Sequence, residues 1–134
     1  MTVKLGTETI RTIALFERLT KVQPKDCLIT DKCAYFLVDP EKIGFAIGKN
    51  GSNIKDVRKH TGKAVKVFGY SNNPEILIKN LIPNIKNIDS NNGTMMITIP
   101  SQDKVTVIGK NGSNIKALNE LLSRHCSIKK LRLR

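Results

Sequence analysis

Ile47-Gly48-Lys49-Asn50-Gly51-Ser52-Asn53-Ile54-Lys55 is followed, 61 positions later, by an identical copy, Ile108-Gly109-Lys110-Asn111-Gly112-Ser113-Asn114-Ile115-Lys116. Each copy is a Gly-x-x-Gly turn with an apolar residue before it and a helix-like stretch after it. Glycine lacks Cβ, so the main chain can turn sharply and a ligand can approach it closely. The first N–H groups of the following helix have no intrahelical acceptor, and their partial positive charge favours an anion. Lys49 and Lys110 add a full, mobile charge. Asn50 and Asn111 tolerate left-handed backbone and offer a side-chain donor. The spacing suits a phosphate backbone. It fits neither the dinucleotide fingerprint, which needs Gly-x-Gly-x-x-Gly, nor the P-loop, which ends in Gly-Lys-Ser/Thr.

The offset is close to half of the 134 residues and predicts two small domains, residues 1–70 and 71–134. Units of this size bury little core, so the two are expected to pack tightly together. The net charge of +12 is shared evenly. Residues 1–70 carry 13 Lys or Arg against 7 Asp or Glu, and residues 71–134 carry 10 against 4, so each half is +6. A basic surface spread over both units, rather than held in a tail, points to a polyanionic partner.

Both halves read as helix–strand–strand–helix–turn–helix–strand, an α+β pattern. In the first, Thr7 to Val22 shows an apolar period through Ile10, Ile13, Ala14, Leu15 and Leu19, with Thr7 or Thr9 as cap and Pro24 as terminator. Cys27–Thr30 and Cys33–Val38 are strand-like. Asp39-Pro40-Glu41 opens a short helix that ends at Gly48. A helix from Ser52 stops at Gly62, and Lys63–Gly69 alternates as a strand. In the second half, Asn73-Pro74 opens a helix through Ile76, Leu77, Ile78 and Leu81. Strands at Asn84–Asp89 and Thr94–Ile99 flank a turn at Ser90-Asn91-Asn92-Gly93. Lys104–Ile108 is β-branched and strand-compatible, but its counterpart Glu41–Ile47 favours helix. A helix through Ile115, Leu118, Leu121 and Leu122 leads to a strand at Ser127–Leu133.

Cys27, Cys33 and Cys126 match neither a disulfide framework nor a CxxC zinc pattern, and Cys27 and Cys33 read as small core residues. His60 and His125 are out of register between the halves and lack a carboxylate that would complete a nucleophile–base pair. No metal, cofactor, catalytic or small-molecule site is therefore expected. No signal peptide or membrane span is visible, and the chain reads as cytoplasmic.

The repeated nonapeptide resembles the Gly-x-x-Gly loop of the KH family of RNA-binding domains. With the leading helix and hairpin, the element order is similar to the type II arrangement. Two such domains joined almost without a linker, and the stretch Val38-Asp39-Pro40-Glu41-Lys42-Ile43-Gly44-Phe45-Ala46-Ile47-Gly48-Lys49, resemble the archaeal NusA-like transcription factors. The resemblance implies two tandem KH type II domains, each a small three-stranded sheet covered by helices. It implies a monomer that binds single-stranded RNA at the transcription complex, with RNA polymerase as a partner. The implied RNA-binding residues are Ile47, Gly48, Lys49, Asn50, Gly51, Ser52, Ile54 and Lys55, and their repeats Ile108, Gly109, Lys110, Asn111, Gly112, Ser113, Ile115 and Lys116. The turn would clamp the backbone of about four nucleotides. Bases would lie in an apolar groove of Ile47, Ile54 and Val67 in one unit, and Ile108, Ile115 and Leu131 in the other. The chain has no room for the polymerase-binding and S1 domains of bacterial relatives. An RNA-binding protein of ribosome assembly or translation is the alternative on the same fold. With aromatics at only 4%, recognition should rest on backbone clamping and base edges rather than on stacking platforms.

Overall fold

The computed structural model describes residues 6–126 and 130–134. The chain divides into two compact units, Met1–Tyr70 and Ser71–Arg134.

In the first unit, α1 (Thr7–Thr20) is followed by β1 (Asp26–Ile29), β2 (Cys33–Val38), α2 (Ile43–Ile47), α3 (Ser52–Thr61) and β3 (Ala64–Gly69). β1 and β2 are antiparallel, with Cys27 opposite Phe36. β3 lies on the other side of β2 and parallel to it, pairing Phe36 with Val67. A parallel neighbour cannot be reached by a tight hairpin, so the chain needs a crossover. The α2–turn–α3 segment is that crossover, and it carries the Gly-x-x-Gly turn.

The inward stripe of α1 is Thr12, Phe16 and Thr20, one turn apart. Phe16 stacks on Phe36 at 4.0 Å between ring centroids. Ile10 and Ala14, expected on the apolar face, are exposed instead. Two threonines can occupy the buried stripe because each hydroxyl donates to the carbonyl one turn back. Thr12 donates to Glu8 O and Thr20 to Phe16 O, both at 2.7 Å. The helix starts after Gly6 without a side-chain cap, so neither Thr7 nor Thr9 plays that part. It ends at a left-handed Lys21 (φ 63°), ahead of Pro24. Before α2, Asp39 accepts from Glu41 N and Pro40 takes the first position of a 3-10 turn, as the sequence predicts.

The second unit repeats the order: α4 (Pro74–Leu81), β4 (Asn87–Asn91), β5 (Thr94–Thr98), α5 (Ser101–Ile108), α6 (Ser113–His125) and β6 (Lys130–Leu133). β4–β5 is antiparallel and β5–β6 parallel. Asn73 caps α4 through its side-chain oxygen, which accepts from Glu75 N and Ile76 N. α4 packs against α6, and Leu77, Ile78 and Leu81 of the one and Leu118, Leu121 and Leu122 of the other are buried. Lys104–Ile108 is helical despite its β-branching. The β4–β5 turn is shorter than the sequence suggests. Ser90 and Asn91 still pair, with Met95 and Thr94, and only Asn92 (φ 51°) and Gly93 (φ 84°) form the turn. Two successive positive φ angles match the right-handed twist of a two-residue hairpin. Of the strand expected at Ser127–Leu133, residues 127–129 lie outside the described residues.

Cys27 and Cys33 are buried. Burial pushes the Cys33 thiol above its ordinary value despite nearby Lys66 and Lys63. Burial raises Tyr35 on the same strand to about 12. Cys33 and Tyr35 are therefore buried and protonated at neutral pH. Among the described residues no group of three His, Cys, Asp or Glu side chains comes together, and no helix is long and apolar enough to cross a membrane.

Candidate nucleic-acid interface

The two turns are built alike to within a few degrees. Gly48 has φ/ψ of 79°/170° and Gly109 76°/172°. Asn50 and Asn111 are left-handed at 56°/27° and 57°/26°, and Gly51 and Gly112 follow at 75°/17° and 73°/14°. Three positive-φ residues within four positions explain the composition. An ordinary side chain would be strained at each, whereas glycine and asparagine accept it.

The two glycines of each turn serve different ends. A Cβ on Gly48 would lie 2.8 Å from Asn53 Cγ and 2.9 Å from Asn53 N. On Gly109 it would lie 2.7 Å from Asn114 Cβ and 2.9 Å from Asn114 N. The first glycine is thus pressed against the start of the following helix. Gly51, by contrast, has nothing within 4 Å of its would-be Cβ. Its bare face is open to an incoming backbone.

Asn53 and Asn114, identical in both repeats yet absent from the predicted site, hold the turn shut. Asn53 Nδ2 donates to Phe45 O and Asn114 Nδ2 to Val107 O, both at 2.8 Å. Each asparagine ties the helix after the turn to the helix before it. Inside the loop, Gly51 N donates to Gly48 O and Gly112 N to Gly109 O at 3.1 Å. The turn is pre-organised by its own sequence. Lys49, Asn50, Ser52 and Lys55 are left exposed, as are Lys110, Asn111, Ser113 and Lys116.

Beside the first turn lies an open groove of about 270 Å³. Ile47, Gly51, Ile54 and Lys55 form its near wall, and Val65 and Val67 of β3 form the floor. The predicted trio Ile47, Ile54 and Val67 is brought together here, with Arg58 added on α3. Arg58 had no sequence signal beyond its place one turn after Ile54. In the second unit Ile108 is 38% exposed, the same as Ile47, and Ile115 is half-buried. Leu131, however, is core at 3% exposure. Its pairing with Met95 makes it the counterpart of Val65, and Leu133 is the counterpart of Val67. The expected equivalence of Leu131 and Val67 is therefore corrected. The chain between turn and strand is five residues longer in this unit, since Ala64 corresponds to Lys130 rather than to a residue 61 positions on.

A KH domain family model matches residues 10–90, more than half of the chain. Proteins named "Probable transcription termination protein NusA" match nearly its whole length. The one from Methanocaldococcus jannaschii is 31% identical over 98% of this chain and 75% of its own. That from Methanococcus vannielii is 30% identical over 99% and 80%. That from Halobacterium salinarum is 28% identical over 99% of both. Among solved structures, the crystal structure of APE1850 superposes with a TM-score of 0.77 at 33% identity, covering 96% of this chain and 99% of that one. With these matches, the chain belongs to the KH-domain family and, within it, to the archaeal NusA-like transcription termination proteins.

Proposed function

We propose that this protein is a single-stranded RNA-binding transcription factor of the termination and antitermination class. In this reading it consists of two tandem KH type II domains, residues 1–70 and 71–134, each clamping RNA backbone with its Gly-x-x-Gly turn. The observation that carries the reading is the recurrence of one pre-organised, three-residue positive-φ turn in two units of equal net charge. Both copies leave a lysine and an asparagine exposed ahead of a helix N-terminus. The open second glycine admits a phosphodiester, Lys49 and Lys110 neutralise it, and the helix starts of α3 and α6 add their unsatisfied N–H groups. Only residues 70–73 separate β3 from α4. So short a tether gives the second turn a high effective concentration on a strand already held by the first. The relatives' names place them in transcription termination. Nascent transcript is accordingly the proposed ligand, in the cytoplasm and beside RNA polymerase.

The test is to replace Lys49-Asn50 and Lys110-Asn111 by Asp-Asp, separately and together, and to measure single-stranded RNA binding by electrophoretic shift at fixed salt. Each pair alone should weaken binding by roughly tenfold and both by a hundredfold or more, as charge reversal adds to loss of bivalency. A folded quadruple variant that binds like wild type rules out the turn clamp.

A further inference from the structure

The repeat ends at Lys55 and Lys116, and three residues later the two units part company. With the turns 61 positions apart, Arg58 of α3 corresponds to Asn119 of α6. Arg58 is exposed and lines the groove beside Val65 and Val67. None of the ion pairs among the described residues involves it. Asn119 has both ends of its amide engaged. Its Nδ2 donates to Ile115 O at 3.1 Å, and its Oδ1 accepts from Leu131 N at 2.8 Å. It pins the start of β6 against α6. Leu131, in the place Val65 holds in the first groove, is sealed at 3% exposure. The longer α6, 13 residues against 10 for α3, and its longer connection to the strand supply the chain for this closure.

We infer that the two units divide the work. The groove of residues 1–70 discriminates among bases, with Arg58 as its specificity-determining residue, while residues 71–134 grip backbone without reading sequence. This rests on the RNA-binding reading above. A guanidinium presents a rigid fork of donors and no acceptor. Its best match among base edges is one with two adjacent acceptors, such as O6 and N7 of guanine or O2 and N3 of cytosine. Adenine offers an acceptor beside a donor on its Hoogsteen edge, and uracil flanks its donor N3–H with single acceptors. Both leave part of the fork unmatched. In the second unit the corresponding amide is tied at both its nitrogen and its oxygen to the protein's own backbone, which fixes its orientation.

The experiment measures affinity of the full chain for RNAs of about a dozen nucleotides. One is all uridine, and the others carry a short central run of cytidine, guanosine or adenosine. Wild type should favour the guanosine or cytidine RNA over uridine by about tenfold or more. Arg58→Lys keeps the charge but loses the fork, and should bring this preference to within about twofold while retaining the salt dependence. The Lys110→Asp/Asn111→Asp variant should lower affinity for every RNA by one factor and leave the preference intact. The Lys49→Asp/Asn50→Asp variant should remove preference and affinity together. Circular dichroism checks each fold. A preference that survives Arg58→Lys, or that vanishes with the second turn and not the first, overturns the division. So does a wild type that binds all the RNAs equally, though RNA binding itself then stands. A wild type that binds none overturns the RNA-binding reading as well.

Discussion

The two units share a turn and differ in what supports it. Nine identical residues give backbone angles that agree within a few degrees at Gly48 and Gly109 and at Asn50 and Asn111. Three residues past the repeat, the helices are anchored differently. α3 buries Val57 alone among its ten residues, whereas α6 buries Ala117, Leu118, Leu121 and Leu122 among thirteen. The turn's geometry is closed by a bond between its own glycines and by an asparagine that reaches back to the helix just before it, so it is a local property of the helix–turn–helix segment. The groove is assembled from a helix and a strand that lies outside it in sequence, so it is free to diverge.

The strongest way to break the claim that the turns are equivalent and local is to disturb the glycines one at a time. Gly48→Ala should be the most costly change in its turn. Its Cβ meets Asn53 atoms at 2.8 and 2.9 Å, and its φ of 79° with ψ of 170° is a region that essentially only glycine occupies. A loss of roughly 2–4 kcal/mol is expected from strain plus overpacking. Gly51→Ala keeps open space and carries only a left-handed penalty of about 1–2 kcal/mol. Urea denaturation should rank Gly48→Ala well below Gly51→Ala in midpoint. The reverse order would mean that the helix-to-helix clasp at Asn53 is not what fixes the turn. Gly109→Ala and Gly112→Ala should follow the same ranking.

The next comparison sets Asn119 against Arg58, the same position in the two units. Asn119→Ala leaves Leu131 N without its acceptor at the edge of a buried residue, and should cost about 1–3 kcal/mol. Arg58→Ala removes an exposed side chain with no ion pair among the described residues and should fall within about ±0.5 kcal/mol. Equal costs at the two sites would show that Arg58 is held structurally. That would undercut its assignment as a residue kept free for a ligand.

How much of this could be read from the chain follows the same line between local and distant. The turn, the Asp39 and Asn73 caps and the stop at Gly62 depend on a few adjacent residues and are legible, whereas the helix at Lys104–Ile108 is legible only through its counterpart Glu41–Ile47 in the other half. Thr12 and Thr20 were not recognised as the buried stripe of α1. A hydroxyl that returns its hydrogen bond to its own helix behaves as apolar, and no hydrophobicity count records that. The equivalence of Leu131 with Val67 fails because the connection after α6 is longer than the one after α3 and nothing local fixes its register. The five added residues there show only when Lys130 is found opposite Thr94. Arg58 and Asn119 carry no local signal in the sequence, since their difference lies in whether a strand comes back to use the side chain.

The last comparison is also the sharpest probe of the repeat itself. Asn53 and Asn114 occupy the same place in the nonapeptide, and each donates across its turn at 2.8 Å. The acceptors differ: Phe45 O lies eight residues back, whereas Val107 O lies seven. The bond in the second unit is also the better shielded of the two. Alanine at either position should cost on the order of 1 kcal/mol, with Asn114→Ala the larger because its acceptor is left less accessible to water. Amide hydrogen exchange is a suitable readout. Asn53→Ala should speed exchange in α2 and the first turns of α3 while leaving α5 and α6 unchanged, and Asn114→Ala should do the converse. Loosening confined in this way is what a turn closed by its own residues and the helix before them requires. Loosening that spread from Asn53 into α1 and β3 would mean that the surrounding unit, and not the repeat, holds the turn in shape.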